Sequence, residues 1–227
     1  MSRILVLAGG SPHAHDFASI GSALVDRIEA AGHLSELSDN PDDAACALIE
    51  RKFDVLVIAG LWWQMRGEAY DQWRDDHQYQ TPPSTGAAIA GFVSGGGGVV
   101  ALHTAPVCFD DWPQWGDILG ASWNWDSSSH PPYGMVRATV AAEHPIVAGI
   151  GSSIELHDEI YGGLDLRGDM TVLATARRHD GDPDQPVLWT RRYGQGRVVF
   201  NGFGHNADSI HHHQNGRIID QSIAWVS

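Results

Sequence analysis

Apolar runs that end in glycine punctuate the first half of the chain, and stretches with apolar residues three and four apart lie between them. Residues 3–8 are apolar after Arg3 and end at Gly9-Gly10. Phe17, Ile20, Leu24 and Ile28 recur at helical spacing, and Gly32 is placed to stop that helix. The pattern then predicts a strand over 34–37, a helix over 42–50, an apolar strand over 54–59 closed by Gly60, a helix over 86–93 and an apolar strand over 98–102. Uniformly apolar strands that alternate with helices belong to a parallel sheet covered on both faces.

The second half is less regular. A helix ends over 117–120, and strands are predicted over 136–141, 171–176, 187–193 and 197–200, with a closing helix over 218–226. Strands so close together imply some antiparallel pairing. No repeat or interdomain linker is visible, and Gly95–Gly98 reads as a tight loop, so residues 1–227 form a single domain. In open sheets of this kind ligands bind beyond the carboxyl ends of the strands. That rule selects four loops, 9–16, 60–66, 103–110 and 202–213. Three of them carry histidine, and the fourth carries Trp62-Trp63.

Composition narrows the partners. With 43% hydrophobic residues and nine tryptophans among 227, the chain can bury a sizeable core. Its 14 basic against 28 acidic residues give a net charge of −14. That balance argues against nucleic acid and anionic membrane surfaces. Neutral or cationic small molecules, sugars and metal cations fit it. Cys46 and Cys108 are too few for a disulfide framework and read as free thiols in a reducing compartment. The apolar run Ile4–Ala8 is short for a signal peptide, and no stretch nears the roughly 20 apolar residues of a membrane span. The expected setting is the cytoplasm.

The strongest candidate for chemistry is His103, directly after the buried strand Val99-Val100-Ala101-Leu102 and followed by Thr104. Many α/β enzymes place a nucleophile on a sharp turn at this point. Here it is histidine, which acts in acid–base chemistry or as a metal ligand. The blander reading is a histidine that bonds neighbouring backbone. His157-Asp158-Glu159-Ile160-Tyr161 adds two carboxylates, whose side chains should face opposite ways on an extended segment. Alone it reads equally as a solvated acidic loop. His205 follows the last predicted strand. His211-His212-His213 is as readily a surface triplet, and His144-Pro145 reads as a structural turn. His15 and His130 complete the candidates, and Trp62, Trp63, Trp123 and Trp125 offer flat faces for sugar stacking or serve the core.

Taken in order, Gly96-Gly97-Gly98-Val-Val-Ala-Leu-His103-Thr104, His144-Pro-Ile-Val-Ala-Gly-Ile150, Asp158-Glu159-Ile-Tyr161-Gly162, Pro186-Val-Leu-Trp189, Tyr193-Gly-Gln-Gly-Arg197, Gly204-His205 and the terminal Ile223-Ala-Trp225 resemble the ThuA-like (trehalose utilisation) family, within the class I glutamine amidotransferase-like, flavodoxin-type superfamily. The resemblance spans nearly the whole chain, although the segment 62–83 has no counterpart in it. It implies an α/β, flavodoxin-like three-layer sandwich with a mostly parallel central sheet, lacking the superfamily's nucleophilic cysteine. It also implies a part in bacterial trehalose and 3-keto-glycoside metabolism.

On this reading His103, Glu159, His205 and Asp158 are the catalytic candidates, for acid–base or metal-assisted cleavage of an oxidised glycoside by a hydrolase or lyase route. His15, Trp62, Trp63, Thr104, His130 and Tyr161 are expected at the substrate. His103 and His205 are the expected ligands of a divalent metal, zinc or manganese, and no nucleotide is expected. The partner is a small sugar, with room left for a homodimer. The alternative is a non-catalytic carbohydrate-binding or regulatory domain on an amidotransferase-like scaffold. An amidotransferase or cysteine hydrolase would need Cys108 at the turn, and it lies five residues too far along.

Overall fold

The computed structural model describes all residues, Met1–Ser227. Eleven strands and seven α-helices follow in the order β1 (Arg3–Leu7), α1 (Phe17–Ala30), β2 (Leu34–Ser38), α2 (Pro41–Glu50), β3 (Val55–Ile58), α3 (Asp71–His77), α4 (Pro83–Ser94), β4 (Gly98–Leu102), α5 (Pro113–Leu119), β5 (Ala121–Ser122), β6 (Gly134–Val140), β7 (Ser153–Asp158), β8 (Asp165–Leu166), β9 (Thr171–Ala176), β10 (Gln185–Tyr193), β11 (Gly196–Asn201), α6 (Ala207–His211) and α7 (His213–Val226). Nine strands form one sheet in the order β2-β1-β3-β4-β11-β10-β9-β6-β7, and β5 pairs with β8 apart from it. From β2 to β11 every pairing is parallel, and from β11 to β7 every pairing is antiparallel.

Alternation along the buried strands divides the core into two layers. Ile4, Val6, Val55, Val57, Val100 and Leu102 face α1 and α7. Leu5, Leu7, Leu56, Ile58, Val99 and Ala101 face α2, α4 and α5. The three-layer α/β sandwich follows, because each central strand must be covered on both sides. Local signals set the helix ends. Asp16 accepts the Ser19 N–H at the start of α1, and Asn40 accepts the Asp42 and Asp43 N–H groups at the start of α2.

The short β5, β8 and α6 escape the pattern, and so do two longer stretches. Residues 62–83, unassigned by periodicity, contain the 3₁₀ turn Glu68–Tyr70 and α3, neither with a fully buried residue and so neither with an apolar stripe to read. β7 reaches into the start of the stretch 157–161 that the sequence suggests as an acidic loop, and along it Ile154, Leu156 and Asp158 point inward while Glu155 and His157 are exposed. A strand with only two apolar residues carries too short an alternation to stand out.

The antiparallel half curls around α6 and α7. β7 lies four places from β11 in strand order, yet Asp158 at its end accepts hydrogen bonds from Gly204 N and Ser209 Oγ, just beyond β11. On the opposite flank Gly10 (φ +102°) passes so close to Leu61 that a Cβ would stand 2.3 Å from its carbonyl oxygen. Ser11 N and Leu61 N donate to Leu61 O and Gly9 O respectively, tying the loops after β1 and β3 together. The loops after β1, β3, β4, β7 and β11 therefore meet at one end of the sheet. No helix is long and apolar enough to cross a membrane.

Candidate metal centre

His103 begins the turn after β4 with φ +40°, a left-handed conformation that an L-residue with a Cβ adopts at a cost of roughly 1–2 kcal/mol. The turn is held by buried backbone bonds, His103 N donating to Asn201 O at 2.9 Å and Ala105 N to Leu102 O at 2.9 Å. The imidazole is 2% exposed, and its Nδ1 lies 3.0 Å from Gly202 O. A carbonyl can only accept, so Nδ1 carries the proton and Nε2 is the free nitrogen of the neutral ring.

Three other side chains converge on Nε2. Glu159 Oε2 is 3.5 Å away and His205 Nδ1 3.4 Å away, and those two lie 3.2 Å from each other. His15 completes the group, with one ligand atom from each of the four residues lying within 4.8 Å of all the others. A tetrahedral ion with bonds of about 2.1 Å separates its ligands by about 3.4 Å, which the three measured distances match. His15 adds an independent observation: it is 7% exposed, yet neither ring nitrogen has a hydrogen-bond partner. A buried imidazole without a partner is costly, and an ion would give it one. Three nitrogens and one carboxylate oxygen suit a borderline divalent metal, and the backbone carbonyl that fixes the His103 tautomer is the outer support such ligands usually have. The four residues can therefore hold a divalent ion.

Charge follows the same geometry. Burial, reinforced by the neighbouring His103 and His205, lowers the pKa of His15 to about 2, so it stays neutral. For Glu159 burial acts upward, but hydrogen bonds from His103 and His205 outweigh it and hold the carboxyl ionised far below its ordinary range. His103 shows the reverse balance: burial acts downward, and Glu159, Asp158 and the Gly202 carbonyl together raise it. Without a metal, the ionised Glu159 favours protonation of His103.

Above the cluster opens a cavity of about 180 Å³ with His15, His130, Glu159 and His205 on its polar side. Its other walls are mainly aromatic. Trp63 stacks on Trp125 at 5.0 Å, Tyr70 meets Trp63 edge-on at 4.5 Å, and Tyr161 stacks on His130 at 5.0 Å. His130 Nδ1 also lies 3.4 Å from Glu159 Oε2.

The family described as trehalose utilisation, ThuA, matches the chain over residues 3–226. The chain belongs to the ThuA family. A ThuA-like protein from Parabacteroides merdae has a similar structure, with a TM-score of 0.77 at 16% identity, over 99% of this chain and 89% of that one. A cytoplasmic protein from Salmonella typhimurium LT2 covers 100% of both chains at 14% identity and a TM-score of 0.63. A GMP synthase protein from Thermoplasma acidophilum, at 15% identity and a TM-score of 0.59, covers 99% of this chain and 93% of that one. At these identities the likeness is one of fold. No curated protein matches the chain.

Within this ThuA-family fold the expected site residues separate into three groups. His103, Glu159, His205 and His15 form the cluster, and His15, expected among the substrate residues, reaches it because the loop after β1 folds against Leu61. Trp63, His130 and Tyr161 line the cavity, together with Tyr70, Trp123 and Trp125. Asp158, Thr104 and Trp62 do not line it. Thr104 Oγ1 donates to Gly60 O at 2.5 Å inside the core, and Trp62 stacks on Phe109 in the layer facing α2, α4 and α5. Trp62 takes the side away from its cavity-lining neighbour Trp63.

The expectation that Asp158 and Glu159 face opposite ways fails for a local reason. Asp158 ends β7, its Oδ1 accepts the N–H of Glu159 at 2.8 Å, and the chain turns there. Both carboxylates then approach His103, Glu159 at Nε2 and Asp158 at Nδ1, 3.8 Å away. Asp158 is fully buried and also accepts from Gly204 N at 2.9 Å, His205 N at 3.4 Å and Ser209 Oγ. These bonds tie the loops of Glu159 and His205 together. Ser209 and, behind it, Asn215 and Asn201 extend the network: Asn215 Nδ2 donates to Ser209 O and Asn201 Nδ2 to Asn215 Oδ1. Sequence reasoning missed all three. A polar residue at a core-facing position of the amphipathic α7 was the available signal.

Proposed function

We propose that the protein is a metal-dependent enzyme of bacterial carbohydrate use that cleaves an oxidised glycoside. One observation carries the reading: the ligand atoms of His15, His103, Glu159 and His205 lie within 4.8 Å of one another, and three of these residues, His15, Glu159 and His205, also line a small aromatic cavity. Aromatic walls with a few polar groups suit a sugar ring, whose C–H faces stack on indole. The match to a family described as trehalose utilisation supports the same class of substrate.

In a 3-keto glycoside the carbonyl acidifies the hydrogen at C2. Loss of that proton to a base and departure of the glycosidic oxygen with a proton break the C1–O bond. The products are an unsaturated ketone and the free alcohol, and addition of water completes a hydrolysis. A divalent ion, zinc or manganese, held by His15, His103, Glu159 and His205 would supply Lewis-acid polarisation of the ketone on accepting its oxygen as a further ligand. His130, at the cavity wall beside Glu159 and outside that set, is placed to move the proton. Tyr161, whose phenol is pushed up by burial and then by Glu159, stays a neutral hydrogen-bond donor. Such acid–base assistance is typically worth about 10²–10⁴-fold. The free thiols of Cys46 and Cys108 support a reducing, cytoplasmic setting.

The test is metal analysis of protein purified without a nickel column, with turnover of 3-keto glucosides followed before and after chelation and in His103→Ala. One divalent ion per chain, with turnover lost on chelation and in the variant, is expected. A chain that binds no divalent ion on reconstitution, and whose turnover survives His103→Ala, would sink the proposal.

A further inference from the structure

The cavity has a size, a charge and a rim, and together they restrict what it can take. Its volume of about 180 Å³ lies below the roughly 300–1,000 Å³ of pockets that enclose drug-sized ligands. That is room for one ring of hexose size and not for two. The wall bearing Trp123 and Trp125 is tied in place, so the volume is built in. Ser129 and Gly162 exchange backbone hydrogen bonds of 3.0 Å, Ser127 and Ser128 hydroxyls donate to Gly163 O, and Asn124 Nδ2 donates to Asp165 Oδ1.

The charge is equally definite. Of the chain's 14 lysines and arginines none lines the cavity. Its ionisable lining consists of His13, His15, His130 and His205, the phenols of Tyr70 and Tyr161, and the ionised Glu159. A phosphate or carboxylate on the ring would find no guanidinium or ammonium to receive it, and the one positive centre, a divalent ion in the cluster, would be half neutralised by Glu159 and engaged with the ring ketone. At the rim Trp125 is 45% exposed while stacked on the buried Trp63, an indole face open toward solvent. Such a face suits a flat, weakly polar ring surface.

We infer that the cavity takes one uncharged terminal sugar ring of a glycoside, with the rest of the substrate leaving past Trp125 into solvent. The protein then acts at chain ends, excludes sugar phosphates and uronic acids, and gains little from further sugar units. The inference rests on the sugar reading under Proposed function and adds ring number and charge to it.

Tryptophan fluorescence of the zinc-loaded protein tests it, by titration with the methyl 3-keto-glycosides derived from glucose, galactose and mannose. The best of these is then compared with its 6-phosphate and with a trisaccharide ending in the same ring. The expected result is binding of at least one methyl glycoside, at least about tenfold weaker binding of its phosphate, and a trisaccharide within about threefold. Trp125→Ala should weaken methyl-glycoside binding at least about fivefold. A phosphate bound as tightly as the glycoside, a trisaccharide bound about tenfold tighter, or a Trp125→Ala protein of unchanged affinity each overturns the inference while leaving the sugar reading standing. If none of the glycosides binds at any length, the sugar reading itself fails and the inference with it.

Discussion

Asp158→Asn is the most informative single substitution, because it keeps the shape of the side chain and changes one acceptor into a donor. In the native protein Oδ1 accepts from Glu159 N at 2.8 Å and His205 N at 3.4 Å, while Oδ2 accepts from Gly204 N at 2.9 Å and from Ser209 Oγ. An asparagine amide placed at Oδ1 would face two backbone N–H groups, neither of which can reverse. Placed at Oδ2 it faces one N–H and one hydroxyl, and the hydroxyl can rotate to accept. The better orientation therefore still leaves Gly204 N–H buried and unpaired, at about 1–3 kcal/mol. The remaining bonds lose their charge assistance, which roughly halves them. A total of about 2–4 kcal/mol follows, and for a chain of this length that lowers the melting temperature by roughly 4–16 °C. Because Asp158 holds the loops of Glu159 and His205, metal affinity should also fall about 10–100-fold, as for outer supports of metal ligands. Thermal unfolding of the metal-free protein and zinc competition with a chromogenic chelator read the two effects. A variant that matched the parent within about 0.5 kcal/mol and bound zinc as tightly would show that Asp158 neither braces these loops nor positions the ligands.

Two further outcomes follow from burial. The folded-state pKa of His15, about 2, is far below its ordinary 6.5, so only the unfolded chain takes up this proton as pH falls. Its contribution to stability is complete above about pH 6.5 and is lost progressively toward pH 2, with a slope of up to about 1.4 kcal/mol per pH unit. In the presence of chelator, His15→Phe should remove about one proton from the pH dependence of unfolding, and equal slopes for variant and parent would refute the assignment. The Cys108 thiol is pushed up to about 12, chiefly by burial, whereas Cys46 is exposed. At pH 8 about one Cys108 in ten thousand is thiolate. Iodoacetamide should thus add one label to the native protein and two after unfolding, and two labels on native protein would show that Cys108 is reactive.

Much of the scaffold was legible along the chain. The strand of His103 needed only the apolar run 98–102, and α1 needed only the spacing of Phe17, Ile20, Leu24 and Ile28, because burial on both faces of a sheet and on one face of a helix leaves a direct imprint on sequence. The rule that ligands gather beyond the carboxyl ends of parallel strands then points to His103 and His205. β7 left almost no imprint, since an edge strand with a solvated face needs few apolar residues.

The sequence by itself thus determined the layers of this protein, the position of His103 at a strand end and the absence of a cysteine there. Tertiary structure decided which residues share the site. Asp158 and Glu159 lie 55 and 56 residues from His103 in sequence, and their strand lies four places from β11. They reach His103 because the antiparallel half of the sheet curls over α6 and α7. Joining the loops after β1 and β3 through Gly10 and Leu61 brought in His15. Such meetings depend on sheet curvature and on close approach between distant loops. No periodicity records those, because they follow from the packing of the whole chain and not from any one segment's preference.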